Sequence, residues 1–181
     1  AHKAPWVPLA ILVLMGLMGA FGPYIAPHDP TYGGLEFGLA PPFWQADSLS
    51  GHLLGTDFQG RDVLSRILDG ARITMLSAGL GLLGACVVGV TLGLVSGYFG
   101  SWVDAFIMRG VDFMLALPGL LMAMVFVAAF GPSLRIIIIV VILTSWVSYA
   151  RYVRGEVLSL KEREFVLGAV AIGCGPLRIL V

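Results

Sequence analysis

The sequence predicts an all-α, polytopic membrane protein, and three observations carry that class. Of its 181 residues 58% are hydrophobic and 12% charged, with a mean hydropathy of +0.93, too little polar surface to cover a water-soluble globule of this size. The apolar residues gather into runs of spanning length, a bilayer crossing needing about 20 residues. Where charges return, towards the end of the chain, apolar residues recur at three- to four-residue spacing, the period of a helix. The net charge is zero and no basic run points to nucleic acid as a partner.

The first span is expected at about residues 6–26, within the uncharged stretch Ala4 to Ala26. A secretory signal peptide is disfavoured because the run is long and Gly22-Pro23-Tyr24 is a poor cleavage site. Residues 27–72 form the long polar region, with six of the eleven carboxylates: Asp29, Glu36, Asp47, Asp57, Asp62 and Asp69. Gly and Pro cluster between Pro27 and Pro42, so the first half reads as loop. From Asp57 to Arg72, Val63, Leu64, Ile67, Leu68 and Ala71 share one helical face. That pattern predicts an amphipathic helix lying along the membrane surface. Taken singly, Arg61, Asp62 and Arg66 read as its solvated face.

Ile73 to Val103 carries no charge over 31 residues and predicts a second span at about 73–97, with a turn at Gly97-Tyr98-Phe99-Gly100. Within it Ser77, Gly81, Ala85, Gly89, Gly93 and Gly97 recur every four residues. Small side chains let another helix backbone approach closely, which is how helices associate in lipid. Gly81, Ala85, Gly89, Gly93 and Gly97 are therefore expected to form a structural packing seam. A third span, at about 106–130, contains Pro118-Gly119, where a lost hydrogen bond and a flexible neighbour predict a kink that could act as a gate. Arg109 and Asp112, three apart, are expected to pair at the membrane boundary. The fourth span, about 132–152, surrounds the charge-free run Ile136 to Ala150, with Arg135 and Arg151 snorkelling. Trp102 and Trp146 suit the interfaces, Trp146 alternatively the interior.

Beyond Gly155, Glu156 and Lys161 to Glu164 are solvent-seeking, while Phe165, Val166, Ala169, Val170 and Ile172 form an apolar stripe. The stripe is too short to cross a bilayer, so it must be buried against a partner or lie in the interface. Gly173 suits the left-handed position that ends a helix, and Pro176 the first turn of another.

Glu164-Phe165-Val166, Ala169, Gly173 and Arg178-Ile179 together resemble the cytoplasmic EAA loop of ABC-importer permeases, whose short helix docks on the ATPase subunit. A second resemblance lies in Leu54-Gly55-Thr56-Asp57, Gly60-Arg61-Asp62-Val63-Leu64-Ser65-Arg66 and Gly70-Ala71-Arg72, preceded by Pro27-His28-Asp29-Pro30. This pattern is similar to the dipeptide, oligopeptide and nickel subfamily of the same permeases. The resemblance implies the type I ABC-importer transmembrane-domain fold and the C-type permease of a pair, with six spans expected where four are present. It implies a cytoplasmic coupling loop at 155–178 in which Glu164, Phe165, Val166, Leu167, Gly168, Ala169 and Gly173 meet the ATPase. The implied partners are a second permease subunit, two ATPase subunits holding ATP and magnesium, and an external substrate-binding protein. The implied activity is import of di- or oligopeptides by alternating access across a bacterial or archaeal cytoplasmic membrane, with nickel or another small solute as the alternative.

What the chain lacks narrows the classes further. No Gly-x-x-x-x-Gly-Lys-Ser/Thr stretch occurs, so ATP hydrolysis is expected in a partner and this chain is not expected to be an enzyme. His2, His28 and His52 lie outside the spans, which argues against an intramembrane protease or a histidine-ligated metal site, and no metal ligands are expected. Acids and bases are absent from mid-span, which disfavours an ion-coupled carrier or channel. Cys86 and Cys174 fall in unlike segments and imply no disulfide. With the N-terminus cytoplasmic, seven basic residues (Lys3, Arg109, Arg151, Arg154, Lys161, Arg163, Arg178) face inward and four (Arg61, Arg66, Arg72, Arg135) outward. The positive-inside bias favours that orientation and puts the 27–72 loop outside.

Overall fold

The computed structural model describes residues 6–174. Among them are six α-helices and no strand: α1 (Trp6–Ile25), α2 (Val63–Phe99), α3 (Ser101–Ala116), α4 (Gly119–Phe130), α5 (Leu134–Lys161) and α6 (Glu164–Ala171). Three of these, α1, α2 and α5, are long and apolar enough to cross a membrane, and α3 with α4 makes a fourth candidate if the bent pair counts as one span. The readings made at Lys3, Pro176, Arg178 and Ile179 lie outside the described residues. The chain divides into two units, one ending at Ser77 and the other beginning at Ala78.

In the first unit α1 meets the opening turns of α2 through glycines. A Cβ on Gly22 would lie 3.0 Å from the Leu68 carbonyl oxygen, and one on Gly19 would lie 3.4 Å from that of Ala71, so close approach depends on the missing side chains. Between the helices the polar segment folds on itself. Gly60, at φ +74, passes so near Gly34 that a Cβ would stand 1.9 Å from its carbonyl oxygen, a position open to glycine alone.

Helix α2 begins at Val63, not Asp57, because Asp62 caps it: its carboxylate accepts the Ser65 N–H at 2.8 Å and the Ser65 hydroxyl at 2.7 Å. That is the hydrogen bond of an acidic N-cap. The helix then runs 37 residues without a break, straight past Arg72. The separate surface helix expected from Asp57 to Arg72 is therefore corrected to a turn followed by the start of α2. The loss of charge after Arg72 marks a change of surroundings, and with no proline between Val63 and Phe99 nothing interrupts the backbone.

In the second unit Ala85, Val111, Trp146, Val147 and Ala150 form the buried core. Trp146 is thus internal, whereas Trp102 is exposed. The four-residue stripe faces α5. Cβ atoms built on Gly81, Gly89, Gly93 and Gly97 would lie 2.5 Å from Val141 Cγ1, 2.5 Å from the Trp146 oxygen, 2.7 Å from the Ala150 oxygen and 2.7 Å from Val157 Cβ. Ala85 is fully buried in the same row. Residue numbers rise together along both helices, so α2 and α5 run in the same direction.

The third apolar segment differs from a single kinked helix. It starts earlier, at Ser101, and is broken into α3 and α4, which meet at 84°. Leu117 is extended, at φ −90 and ψ 122, as the residue before a proline is forced to be. Pro118 then leads into α4. The fourth segment is longer than expected: α5 continues to Lys161, since no breaker follows Ala150 and Gly155 sits in open space.

Candidate coupling helix and its anchorage

Helix α6 follows α5 after only Glu162 and Arg163, and it ends where Gly173 takes φ +85. Glu164, Phe165, Val166, Leu167, Gly168 and Ala169 all fall on this eight-residue helix and Gly173 two residues past it. Phe165 is 69% exposed. Beside it Val166 helps line a small apolar cavity of about 130 Å³ with Leu94, Tyr98, Val157 and Leu160. The Phe165 ring and Lys161 line the same cavity.

Polar contacts tie the helices together next to α6. Arg154 on α5 donates to both carboxylate oxygens of Asp104 on α3, at 2.5 and 2.6 Å. The hydroxyl of Ser96 on α2, fully buried, donates to the same carboxylate at 2.5 Å. The ammonium of Lys161 reaches the last carbonyls of α2, at 2.7 Å from Tyr98 and 3.4 Å from Gly97, a cation placed where a helix C-terminus favours one. Lys161 is thus a cap rather than a solvated charge. Arg109 and Asp112 are exposed and do not pair among the described residues. The partner for an acid on α3 comes instead from a residue 50 positions away, which spacing along one helix could not reveal.

The motif residues of the first unit prove to be its hydrogen-bonding centre. Asp57 accepts from the backbone N–H of Gln59 at 2.8 Å and of Arg61 at 3.0 Å, and from the guanidinium groups of Arg61 and Arg66. Desolvation works against its charge, but these four donors outweigh it and hold the carboxyl far below the usual range. Thr56 donates to the Phe37 carbonyl and accepts from the Ala40 N–H. Asp62 is 1% exposed. Burial opposes its ionisation, and the Ser65 hydroxyl and N–H together with His52 more than offset that, so its pKa also falls. The reading of Arg61, Asp62 and Arg66 as a solvated helix face is corrected accordingly: Asp62 is buried and both arginines serve Asp57. No local spacing signals that His28 and His52 meet at Asp62, since the three stand far apart along the polar region.

Residues 89–181, which include the anchored ends of α2, α3 and α5 and all of α6, match the family described as binding-protein-dependent transport system inner membrane component. The chain belongs to this family. Its fold is that of the type I ABC-importer transmembrane domain, and the apolar helices described above make the chain a multi-pass membrane protein. Residues 1–42 match a second family, the N-terminal transmembrane domain of oligopeptide transport permease C. The chain is 38% identical to the dipeptide transport system permease protein DppC of Haemophilus influenzae, over 99% of this chain and 61% of the relative. It is 42% identical to the DppC protein of Escherichia coli, over 98% and 59%. It is 34% identical to the glutathione transport system permease protein GsiD of Pectobacterium atrosepticum, over 99% and 58%. The chain thus spans about three fifths of the length of these curated relatives of the permease family.

Proposed function

We propose that this chain is the membrane-spanning subunit of an ATP-driven importer that moves di- or oligopeptides across the cytoplasmic membrane by alternating access. The observation that carries the reading is α6: a short helix with an exposed phenyl ring, joined to α5 by two residues, beside contacts that lock α5 to α2 and α3. A push on α6 passes through the short turn into α5, and through Arg154 and Lys161 into the neighbouring helices. The push comes from two ATPase subunits that hold ATP and magnesium. A second permease subunit completes the path and an external binding protein delivers the solute. The N-terminus and α6 face the cytoplasm, the side favoured by seven of the eleven basic residues. The carboxylate of Asp104 is already engaged by Arg154 and Ser96, which disfavours an ion-coupled carrier.

The test is ATP-dependent uptake of a labelled dipeptide by vesicles containing the chain with its permease and ATPase partners. Phe165→Asp is expected to insert normally yet lower uptake by at least about tenfold, the loss of a contact worth about 1.4 kcal/mol. The ATPase would be lost from the complex or hydrolyse without transport. Gly173→Val is expected to act alike, because a β-branched residue resists φ +85. Normal uptake in both variants, with the ATPase retained, would make α6 a membrane-surface helix.

A further inference from the structure

His28 follows α1, His52 lies deep in the polar loop, and Asp62 caps α2, yet one potential ligand atom from each lies within 4.8 Å of the others. The two imidazole rings stack with centroids 4.4 Å apart and planes 21° from parallel. His52 Nδ1 stands 3.0 Å from Asp62 Oδ1. The other oxygen of Asp62 is occupied by the N–H and hydroxyl of Ser65, which fixes the carboxylate and leaves Oδ1 turned towards the histidines.

A histidine beside a buried carboxylate is in most proteins a satisfied hydrogen bond and no more. Here a second imidazole lies over the first, and among the described residues its ring makes no hydrogen bond. Two neutral imidazoles and a carboxylate are the donor types of zinc. Metal–ligand bonds of about 2.0–2.1 Å in a tetrahedron set neighbouring ligand atoms about 3.3 Å apart. The His52–Asp62 pair is close to that separation as it stands, and the exposed His28 side chain can turn to close the rest. A cavity of about 350 Å³ beside the three side chains admits a water as fourth ligand. Ser65 supplies the outer hydrogen bonds that orient a ligating carboxylate.

We propose that His28, His52 and Asp62 form a binding site for a divalent transition metal of the zinc class, which clips the polar loop to the start of α2. On binding, His52 carries its single ring proton on Nε2, which frees Nδ1, and both Nδ1 and Asp62 Oδ1 turn to the metal. The proposal is independent of the transported solute.

The test uses the full chain in detergent, carrying no polyhistidine tag and stripped with a chelator. It is titrated with Zn²⁺ by calorimetry and with Co²⁺ by visible absorption, where tetrahedral coordination gives intense bands. One equivalent bound in the micromolar range or tighter is expected. His28→Ala and His52→Ala should each weaken binding by at least about tenfold, and Zn²⁺ should slow proteolysis of the 27–62 loop only in the unsubstituted chain. Because the His28 ring is exposed, His28→Ala decides the matter even if His52→Ala does not fold. Absence of stoichiometric binding by the unsubstituted chain, or undiminished binding by His28→Ala, would overturn the proposal.

Discussion

Asp57 shows how a single carboxylate can organise a loop. It gathers two backbone N–H groups and two guanidinium groups within ten residues of chain, and the stability it contributes has a definite pH dependence. Its folded pKa is depressed, so the contribution is fully present above the ordinary carboxylate value of about 4 and is lost only as pH falls through the lower folded value. Amide protection of residues 33–62, corrected for the intrinsic pH dependence of exchange, should therefore hold down to about pH 4 and fall progressively below it. Asp57→Asn should exchange faster at pH 7 already and lose the acid step; an unchanged acid profile in that variant would remove Asp57 as its cause. Asp57 stands in the Leu54–Arg66 motif that carries the family resemblance, but neither its central role nor its donors were legible there. Arg61 is four residues away and Arg66 nine, and only the tight turn at Gly60 brings both to one acid.

At the level of elements, the seam between α2 and α5 comes directly from a stripe of small residues. Gly93→Leu would place side-chain atoms inside contacts already at 2.7 and 2.9 Å, to the Ala150 oxygen and Val153 Cβ. Overpacking of this kind costs about 1–3 kcal/mol, and Gly89→Leu should behave alike. Val88, off the stripe and exposed, should tolerate Leu with a change of about 0.5 kcal/mol or less. Thermal stability in detergent separates the two classes, and equal behaviour would reduce the repeat to composition. The stripe was visible in sequence because it is local and periodic. Its partner was not, since nothing in the spacing of Gly81 to Gly97 says that Val141, Trp146 and Val157 lie opposite. The proline break was visible too, but not its extent: a kink and an 84° turn begin from the same Leu117-Pro118 pair.

For the whole molecule, orientation in the bilayer is the testable consequence. The polar loop and the α6 segment should react from opposite sides of the membrane if the positive-inside reading holds. Gly34 is half-buried against Phe37, so a better reporter is Gln45, which is exposed. A cysteine at Gln45 should be modified by an impermeant thiol reagent added to intact cells, whereas native Cys174 should require permeabilisation. Modification of both from the outside would refute the arrangement.

Membrane class, the approximate places of the apolar helices, the small-residue stripe and the glycine that ends α6 were all determined by the sequence alone. Each is a matter of composition, of local period or of one residue's backbone freedom, and such properties act over a few turns of chain. Tertiary structure decided that α2 begins at a buried Asp62 and that Asp104 takes Arg154 rather than a neighbour. It also decided that Lys161 caps another helix, and that His28 and His52 meet over one carboxylate. These contacts join residues up to 64 positions apart. A charge hydrogen-bonds to whatever the packed backbone brings within about 3 Å, and that proximity is a property of the fold rather than of the residues taken in order.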